Sequence, residues 1–164
     1  MQEININELS FNPFTLIGKK WCLISAVKED GTVNTMTASW GGVGVMWNKN
    51  VATIYVRPQR YTKEFIDEAA YFTLSFFDEK YRSVLNYCGK NSGRDTDKVK
   101  ECNLHVQIDE SVTFEEAELS LVCKKLYHAP ILESGFIDQK LSDQNYPDRD
   151  FHEMYIGEIV KVIK

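Results

Sequence analysis

Short β-prone segments that do not alternate regularly with helices are the feature that most restricts how this chain can fold. Residues 21–27 are apolar, the Asp30-Gly31 pair is a strong hairpin signal, and residues 32–37 form the expected return strand. Residues 51–56 are almost wholly apolar, which predicts a strand buried on both faces. Further strands are predicted at residues 71–77, 119–127 and 151–163.

Two helices and a short helical turn are predicted between these strands. Thr62 is the expected N-cap of a helix over residues 63–70. Asp78 is expected to cap a helix over residues 79–88, with Gly89 as its C-terminal stop. Asp95 is the expected cap of a turn over residues 96–102. Because strands dominate, we expect a mainly β fold, a closed or partly closed antiparallel barrel with inserted helices, in one domain over residues 1–164.

Composition argues against several classes of protein. Lys and Arg number 19 against 24 Asp and Glu, so the net charge of −5 argues against general binding to nucleic acid or anionic membranes. The four cysteines are too widely spaced for a metal motif, and we predict no metal site. No G-x-G-x-x-G follows a strand, which argues against a Rossmann fold. No signal peptide or apolar span is evident, so a cytoplasmic location with reduced thiols is expected.

The segment NTMTASWGG, residues 34–42, is too polar for a core strand, yet its Met and Trp would gain little in a solvent loop. Hydroxyl-bearing residues alternate with Met36, Ala38 and Trp40 along this stretch. This composition is typical neither of a core strand nor of a solvent loop, which raises the question of what the segment holds. Simple core packing is the alternative role of Trp40.

The segment VRPQRYT, residues 56–62, predicts a phosphate site. Arg57 and Arg60 follow a buried strand, Pro58 stiffens the turn, and Thr62 is expected to open a helix. Guanidinium groups bind phosphate oxygens through paired hydrogen bonds, and a helix start adds unpaired N–H groups and partial positive charge. The alternative is two exposed arginines beside an ordinary helix cap.

A second donor-rich cluster is CGKNSGRDTDK, residues 88–98. Its two glycines allow left-handed backbone geometry, and Ser92, Arg94 and Lys98 supply hydrogen-bond donors. This pattern fits either a second ligand loop or a solvated turn between two short helices. The three histidines form no catalytic dyad or triad by spacing, and His152 at a strand start is by itself typical of a structural hydrogen-bonding residue.

Taken in order, NTMTASWGG, VRPQRYT, the CG…SGRDTDK loop and FHEMYIGEIV resemble the flavin reductase-like family of FMN-binding split-barrel proteins, in its flavoredoxin-like branch. The resemblance extends over residues 21–163. It implies a Greek-key split barrel that forms homodimers, with FMN near the subunit interface. It also implies that residues 37–40 line the isoalloxazine, that residues 57–62 meet the phosphate, and that residues 92–95 help to close the site.

The resemblance also assigns residues to roles. His152 is the predicted catalytic residue, because the matching residue lies where flavin and nicotinamide would stack. The predicted cofactor-binding residues are Asn34, Met36, Thr37, Ala38, Ser39, Trp40, Arg57, Pro58, Arg60, Tyr61, Thr62, Cys88, Ser92, Gly93, Arg94, Asp95 and Lys98.

Three functions follow from this pattern. The first is an NAD(P)H-dependent flavin reductase that passes electrons to free flavin or to a redox partner protein. The second is an FMN-binding electron carrier that a partner reduces. The third is a split barrel without flavin that serves as an interaction module. Residues 129–150 are expected to form either a lid or a dimer arm.

Overall fold

The computed structural model describes residues 2–164, and its largest element is an eight-stranded antiparallel sheet. β1–β6, β9 and β10 form this sheet, and β7 pairs with β8 in a separate ribbon. The strands in chain order are β1 (Glu3–Ile4), β2 (Cys22–Val27), β3 (Val33–Ala38), β4 (Gly41–Met46), β5 (Lys49–Val56), β6 (Tyr71–Phe77), β7 (Val106–Ile108), β8 (Val112–Phe114), β9 (Ala117–Pro130) and β10 (Glu153–Ile163).

The sheet curls into a barrel that is split between β3 and β4. Its strand order is β3-β2-β6-β9-β10-β5-β4, with β1 added to β10. β3 and β4 are therefore the two ends of the path, although only Ser39 and Trp40 separate them in the chain. Ala38 and Gly41 are three Cα–Cα steps apart, which is at most about 11 Å. The two ends of the strand path therefore lie close together, so the sheet must close on itself. The expected partly closed antiparallel barrel is confirmed, and residues 39–40 lie at its split.

The barrel core comes from the inward positions of these strands. Ile24, Ile54, Leu74, Leu121 and Tyr155 are all buried in one cluster. The prediction that residues 51–56 are buried on both faces is correct for four of the six positions. Thr53 and Tyr55 are only half-buried, because one face of β5 is incompletely covered near the split.

The helices surround the barrel. They are α1 (Pro13–Thr15), α2 (Tyr61–Glu68), α3 (Arg82–Lys90), α4 (Lys98–Glu101) and α5 (Gln139–Asn145). A π-helical turn covers Leu16–Lys20, and 3₁₀ turns cover Ile6–Glu8, Glu79–Tyr81 and Glu133–Gly135. No helix among residues 2–164 is long and apolar enough to cross a bilayer.

The predicted start and end of the first helix are wrong. Arg60, in extended conformation, is the N-cap of α2, and the helix ends at Glu68 instead of residue 70. Thr62 lies inside the first turn with its side chain buried. Its hydroxyl accepts a hydrogen bond from the Asn34 side chain at 3.0 Å. A tertiary contact therefore occupies the hydroxyl that was expected to cap the helix.

The other two helix caps also differ from prediction. Asp78 caps the 3₁₀ turn that precedes α3, by accepting the Lys80 N–H. Gly89 does not stop α3, which continues to Lys90. A Cβ at Gly89 would lie 3.4 Å from the Thr37 Cβ, an ordinary packing distance, so α3 packs against β3 at this point. Asp97, and not Asp95, caps α4 by accepting the Lys100 N–H at 3.1 Å.

Candidate functional site

A cleft opens at the split of the barrel. It has a volume of about 200 Å³ and is lined by residues 36–40 together with Tyr55, Arg57 and His152. The β-sheet register accounts for the last two, because Glu153 pairs with Val56. His152 and Arg57 follow outward from that pair on antiparallel strands, so they lie opposite each other. The end of β3, the end of β5 and the start of β10 thus converge on one cleft.

His152 is buried against aromatic rings in this cleft. Its ring centroid lies 5.2 Å from that of Trp40, and its Nδ1 lies 2.8 Å from the Tyr146 hydroxyl. Burial, and secondarily the Arg57 cation, lowers the pKa of His152 to about 4. The imidazole is therefore neutral at neutral pH, and it can act there as a hydrogen-bonding group.

Arg57 is turned toward the segment that precedes β10. Its guanidinium pairs with Asp150, donates to the Asn145 carbonyl at 2.8 Å and lies 5.2 Å from the centre of the Tyr146 ring. Arg57 and Gln59 share one oxygen of Asp150, and the other carboxylate oxygen is buried without a hydrogen-bond partner in residues 2–164. Arg57 and Asp150 therefore form a partly buried ion pair beside the cleft.

Arg60 has different partners from Arg57, and it lies with Lys98 at the end of α3. Arg60 donates to the Gly89 carbonyl at 3.0 Å, and Lys98 Nζ donates to the Cys88 carbonyl at 3.3 Å. Lys98 is only 4% exposed, and burial lowers its pKa to about 8. Burial also lowers the pKa of Arg60. Within the described chain neither cation has a carboxylate within 4 Å, so their charge is available to an external anion.

The loop after α3 packs directly on β3. Asn34 is buried beneath it, and a Cβ at Gly93 would lie 2.2 Å from the Asn34 Oδ1. Only glycine allows this approach. A second cavity, of about 600 Å³, opens beside the contact and is lined in part by Asn34, Tyr61, Gly93 and Lys98. β3 therefore connects the cleft at its end to a cavity with a buried cation at its start.

The rest of the donor-rich loop faces solvent. The exposed Arg94 pairs with Glu64, donates to the Gln59 carbonyl at 3.2 Å and stacks on Tyr61 at 4.7 Å. Ser92 Oγ accepts the Arg94 N–H, and Asp95 is exposed. These contacts form a turn that joins α2 to the loop, and a carboxylate already balances the charge of Arg94.

The structure thus divides the predicted site residues into three groups. The cleft brings together Met36, Thr37, Ala38, Ser39, Trp40, Arg57 and His152. Around the end of α3 and the second cavity lie Asn34, Arg60, Tyr61, Thr62, Cys88, Gly93 and Lys98. Outside both lie Pro58, Ser92, Arg94 and Asp95, of which only Ser92 is half-buried.

Three residues of the cleft region were missed from the sequence. Tyr55 lines the cleft, Tyr146 contacts His152, and Asp150 pairs with Arg57. A single polar-tipped aromatic residue in the apolar run 51–56 was the available signal for Tyr55. Nothing local marks Tyr146 or Asp150, since their partners are brought to them by the fold.

A larger apolar cavity adjoins the cleft. It has a volume of about 610 Å³ and shares Ser39, Trp40 and Tyr55 with the cleft. Its remaining wall includes Ile17 and Tyr146. The two spaces together fall in the size range of small-molecule sites, with aromatic walls and a few polar groups.

Comparisons with known proteins agree with this architecture. The profile of the flavin reductase like domain matches residues 15–163. The fold is similar to that of flavoredoxin from Methanosarcina acetivorans, with 22% identity and a TM-score of 0.69 over 100% of this chain and 76% of that one. A search of curated proteins found no match.

Two further solved structures share the fold. An FMN-binding domain of a flavin reductases-like enzyme from Shewanella baltica is 14% identical, with a TM-score of 0.68 over 98% of this chain and 75% of that one. Nitrilotriacetate monooxygenase component B from Bacillus cereus is 19% identical, with a TM-score of 0.66 over 99% and 80%. The predicted split-barrel fold is confirmed, and because the domain profile extends over nearly all of the chain, the protein belongs to the flavin reductase like family.

Proposed function

We propose that this protein binds FMN at the split of its barrel and acts as an NAD(P)H-dependent oxidoreductase that passes electrons to free flavin or to a redox partner. The observation that carries the proposal is the arrangement along β3. An aromatic-walled cleft lies at one end of the strand, and two cations without carboxylate partners lie toward the other. A mononucleotide with a flat ring and an anionic tail requires these two environments.

The cleft suits a flavin ring. Trp40 and Tyr55 supply aromatic wall. β3 is an end strand of the sheet path and residues 39–40 lie beyond its ladder, so the backbone groups of residues 37–40 are not all taken by a neighbouring strand. Backbone N–H groups of such a segment can stabilise negative charge on a bound ring, as in an oxyanion hole. When bound, FMN supplies the redox chemistry by accepting a hydride from reduced nicotinamide.

Arg60 and Lys98 suit a phosphate. Each is anchored by one carbonyl at the end of α3, and within residues 2–164 neither has a carboxylate to neutralise it. Arg57 is already paired with Asp150 beside the cleft, so it is better placed to act near the ring than near the tail. Of the predicted phosphate contacts, Arg60 therefore has the stronger physical case.

In this scheme the chain's own residues orient the two bound rings and polarise them. His152 is neutral and aromatic-packed beside the cleft, so it offers a hydrogen bond and a flat contact surface instead of a proton for transfer. The adjoining apolar cavity gives a second ring room to approach against an apolar wall. Positioning two rings together removes entropic cost from hydride transfer, which requires no general acid or base.

An electron carrier reduced by a partner is the second candidate function. The similarity in fold to flavoredoxins from Methanosarcina acetivorans and from Desulfovibrio vulgaris favours it. The same site geometry serves both functions, since they differ only in the source of electrons.

A homodimer is part of the proposal. An apolar surface patch, formed by Val45, Met46, Trp47 and Tyr127, is exposed at the β4–β5 turn and on β9. Trp47 and Tyr127 stack edge to face, with ring centroids 6.2 Å apart. A second copy of the chain is the proposed cover for this apolar patch.

Absorbance spectroscopy tests the function. We expect purified protein loaded with FMN to retain a flavin spectrum after desalting and to bleach rapidly when NADH or NADPH is added anaerobically. Bleaching only with a reduced protein partner would favour the carrier. Failure to retain FMN at all would remove both functions and favour an interaction module.

A further inference from the structure

The segment before β10 contacts His152, a residue of the cleft, through Tyr146. This side chain is 4% exposed, and its ring packs against Phe151 and Phe136 with centroids 4.7 and 6.0 Å away. Its hydroxyl oxygen lies 2.8 Å from Nδ1 of His152. Three aromatic neighbours, counting the His152 ring, therefore hold the phenol in one position beside the imidazole.

The direction of this hydrogen bond follows from the burial of the phenol. A buried O–H needs an acceptor, and an Nδ1–H that donated to the phenol oxygen would leave that O–H without one. Burial raises the pKa of Tyr146, so the phenol keeps its proton at neutral pH. Among residues 2–164, Nδ1 of His152 is the one side-chain partner of that hydroxyl. The O–H hydrogen therefore points at Nδ1.

The imidazole must then carry its single proton on the other nitrogen. His152 is neutral at neutral pH, and a neutral imidazole has one N–H donor and one acceptor nitrogen. Nδ1 accepts from Tyr146, so Nε2 bears the hydrogen. Since Nδ1 is occupied, any hydrogen bond from this ring into the cleft comes from Nε2–H.

The charged neighbours of His152 are consistent with a neutral imidazole that accepts a hydrogen bond from Tyr146. Two charged groups affect the pKa of His152: Arg57, just after β5, and Asp150, in the segment before β10. Arg57 lowers the pKa of His152 and Asp150 raises it, so the two groups, which also form an ion pair, partly cancel. Arg57 also donates to the Asn145 carbonyl, next to Tyr146, which ties the segment to the barrel.

We infer that Tyr146 is a positioning residue that holds His152 in the Nε2–H tautomer, so that His152 donates a hydrogen bond to an acceptor atom in the cleft. The tautomer is a property of the chain alone. The identity of the acceptor rests on the proposed function: it is a carbonyl oxygen or unprotonated nitrogen of the flavin or nicotinamide ring system. The segment 131–150 thereby gains a role in orienting the site.

Nitrogen-15 NMR of flavin-free protein tests the tautomer directly. We expect one long-range imidazole correlation set for His152 at pH 7, with a pyridine-like Nδ1 and a pyrrole-like Nε2. Tyr146→Phe keeps the packing ring but removes the O–H, so the two nitrogens should move toward averaged shifts. Tyr71→Phe, at a half-buried tyrosine of β6 outside the cleft, should leave the His152 signals unchanged. A pyrrole-like Nδ1 in the unaltered protein would overturn the inference.

The donor role is tested with side chains that mimic one imidazole nitrogen each. The Gln amide nitrogen reaches the position of Nε2, whereas the Asn amide nitrogen reaches that of Nδ1. We expect His152→Gln to keep the rate of flavin reduction by nicotinamide within about threefold, and His152→Asn to lower it about three- to tenfold further, the value of one hydrogen bond. Equal loss in both variants would refute donation from Nε2. A protein that does not bind FMN would defeat the proposed function and leave the NMR result standing.

Discussion

Arg60 and Lys98 donate hydrogen bonds to consecutive carbonyl groups at the end of α3, at Gly89 and Cys88 respectively. The two cations come from elements separated by 38 positions in the chain, so their meeting depends on the packing of α3 and α4 against β3. A helix C-terminus carries partial negative charge, which stabilises nearby cations without neutralising them as a carboxylate would. The pair therefore combines burial with residual positive charge, which is the condition for binding an anion.

Replacing either cation should weaken FMN binding far more than riboflavin binding. Arg60→Ala or Lys98→Met removes a charge-assisted hydrogen bond to phosphate, a loss of about 1.5–3 kcal/mol or roughly ten- to a hundredfold in Kd. Riboflavin lacks the phosphate and should lose little. Flavin fluorescence titration measures both constants. Arg94→Ala is the matched control, because Glu64 already pairs with Arg94 at the surface. Equal weakening of both flavins would place the phosphate elsewhere.

FMN affinity should be greatest in a pH window whose upper limit is set by Lys98. The pKa of this lysine is about 8, because burial disfavours its charged form. A bound phosphate raises the pKa again, so affinity should fall as the pH rises above about 8. Below a pH of about 6 the phosphate itself gains a proton and binds less tightly.

Isothermal titration from pH 5.5 to 9.5 measures this window. Lys98→Met should abolish the decline above pH 8, while Lys90→Met, at an exposed lysine of α3, should preserve it. A decline that persists without Lys98 would assign the titration to another group.

The sequence predicts a structural feature well when residues close together in the chain determine it, and poorly when distant residues do. Apolar runs predict β2, β5 and β6 closely, because side-chain burial determines those strands. β4 was missed because its first residues, Gly41 and Gly42, have no side chains to show a pattern; the strand exists through pairing with β5. Similarly, Thr62 has the chemistry of an N-cap, but Asn34, 28 residues away, takes its hydroxyl.

The same distinction applies to the site. The cleft-lining stretch at residues 36–40 is contiguous, so its mixture of polar and apolar residues is visible in the sequence. Arg57 and Arg60 are three residues apart and looked like one cradle, yet the fold supplies different partners for each, Asp150 and Gly89. Residue type predicted that these groups bind an acceptor, but not which one, because the partners lie 93 and 29 positions away.

His152 should make the protein sensitive to mild acid. Its folded-state pKa of about 4 lies below the ordinary value of 6.5, so between these pH values the unfolded chain binds a proton that the folded chain excludes. The contribution of His152 to the free energy of unfolding is fully present above pH 6.5. It falls by up to about 3 kcal/mol as the pH approaches 4.

Urea unfolding of flavin-free protein at pH 7 and pH 4.5 checks this. His152→Gln cannot titrate and should show a smaller loss between the two pH values. His105→Gln is the control with opposite sign, because Glu116 raises the pKa of His105 and that contribution is present in acid and lost as the pH rises. An unchanged acid loss in His152→Gln would show that carboxylates, not His152, dominate.

Trp47 offers a way to separate dimer formation from folding. It occupies the first position of the two-residue turn between β4 and β5, with φ of 53° there and 56° at Asn48. Such left-handed geometry suits Asn or Gly and costs a bulky residue about 1 kcal/mol or more. Over half of the Trp47 side chain is nevertheless exposed, which indicates that something other than the stability of the isolated chain retains it there.

Trp47→Asn should therefore have opposite effects on the chain and on the assembly. The isolated chain should unfold at the same temperature or a few degrees higher, because turn strain is relieved and little buried area is lost. The dimer should dissociate at higher protein concentration, which sedimentation velocity measures, because the apolar patch loses its largest side chain. Val160→Asn is the control, because it makes the same kind of apolar-to-polar change at an exposed residue outside this patch. It should leave the dimer unchanged. A Trp47→Asn protein that unfolds earlier as an isolated chain would show that the indole stabilises the turn itself, and one that dimerises as before would remove the patch from the interface.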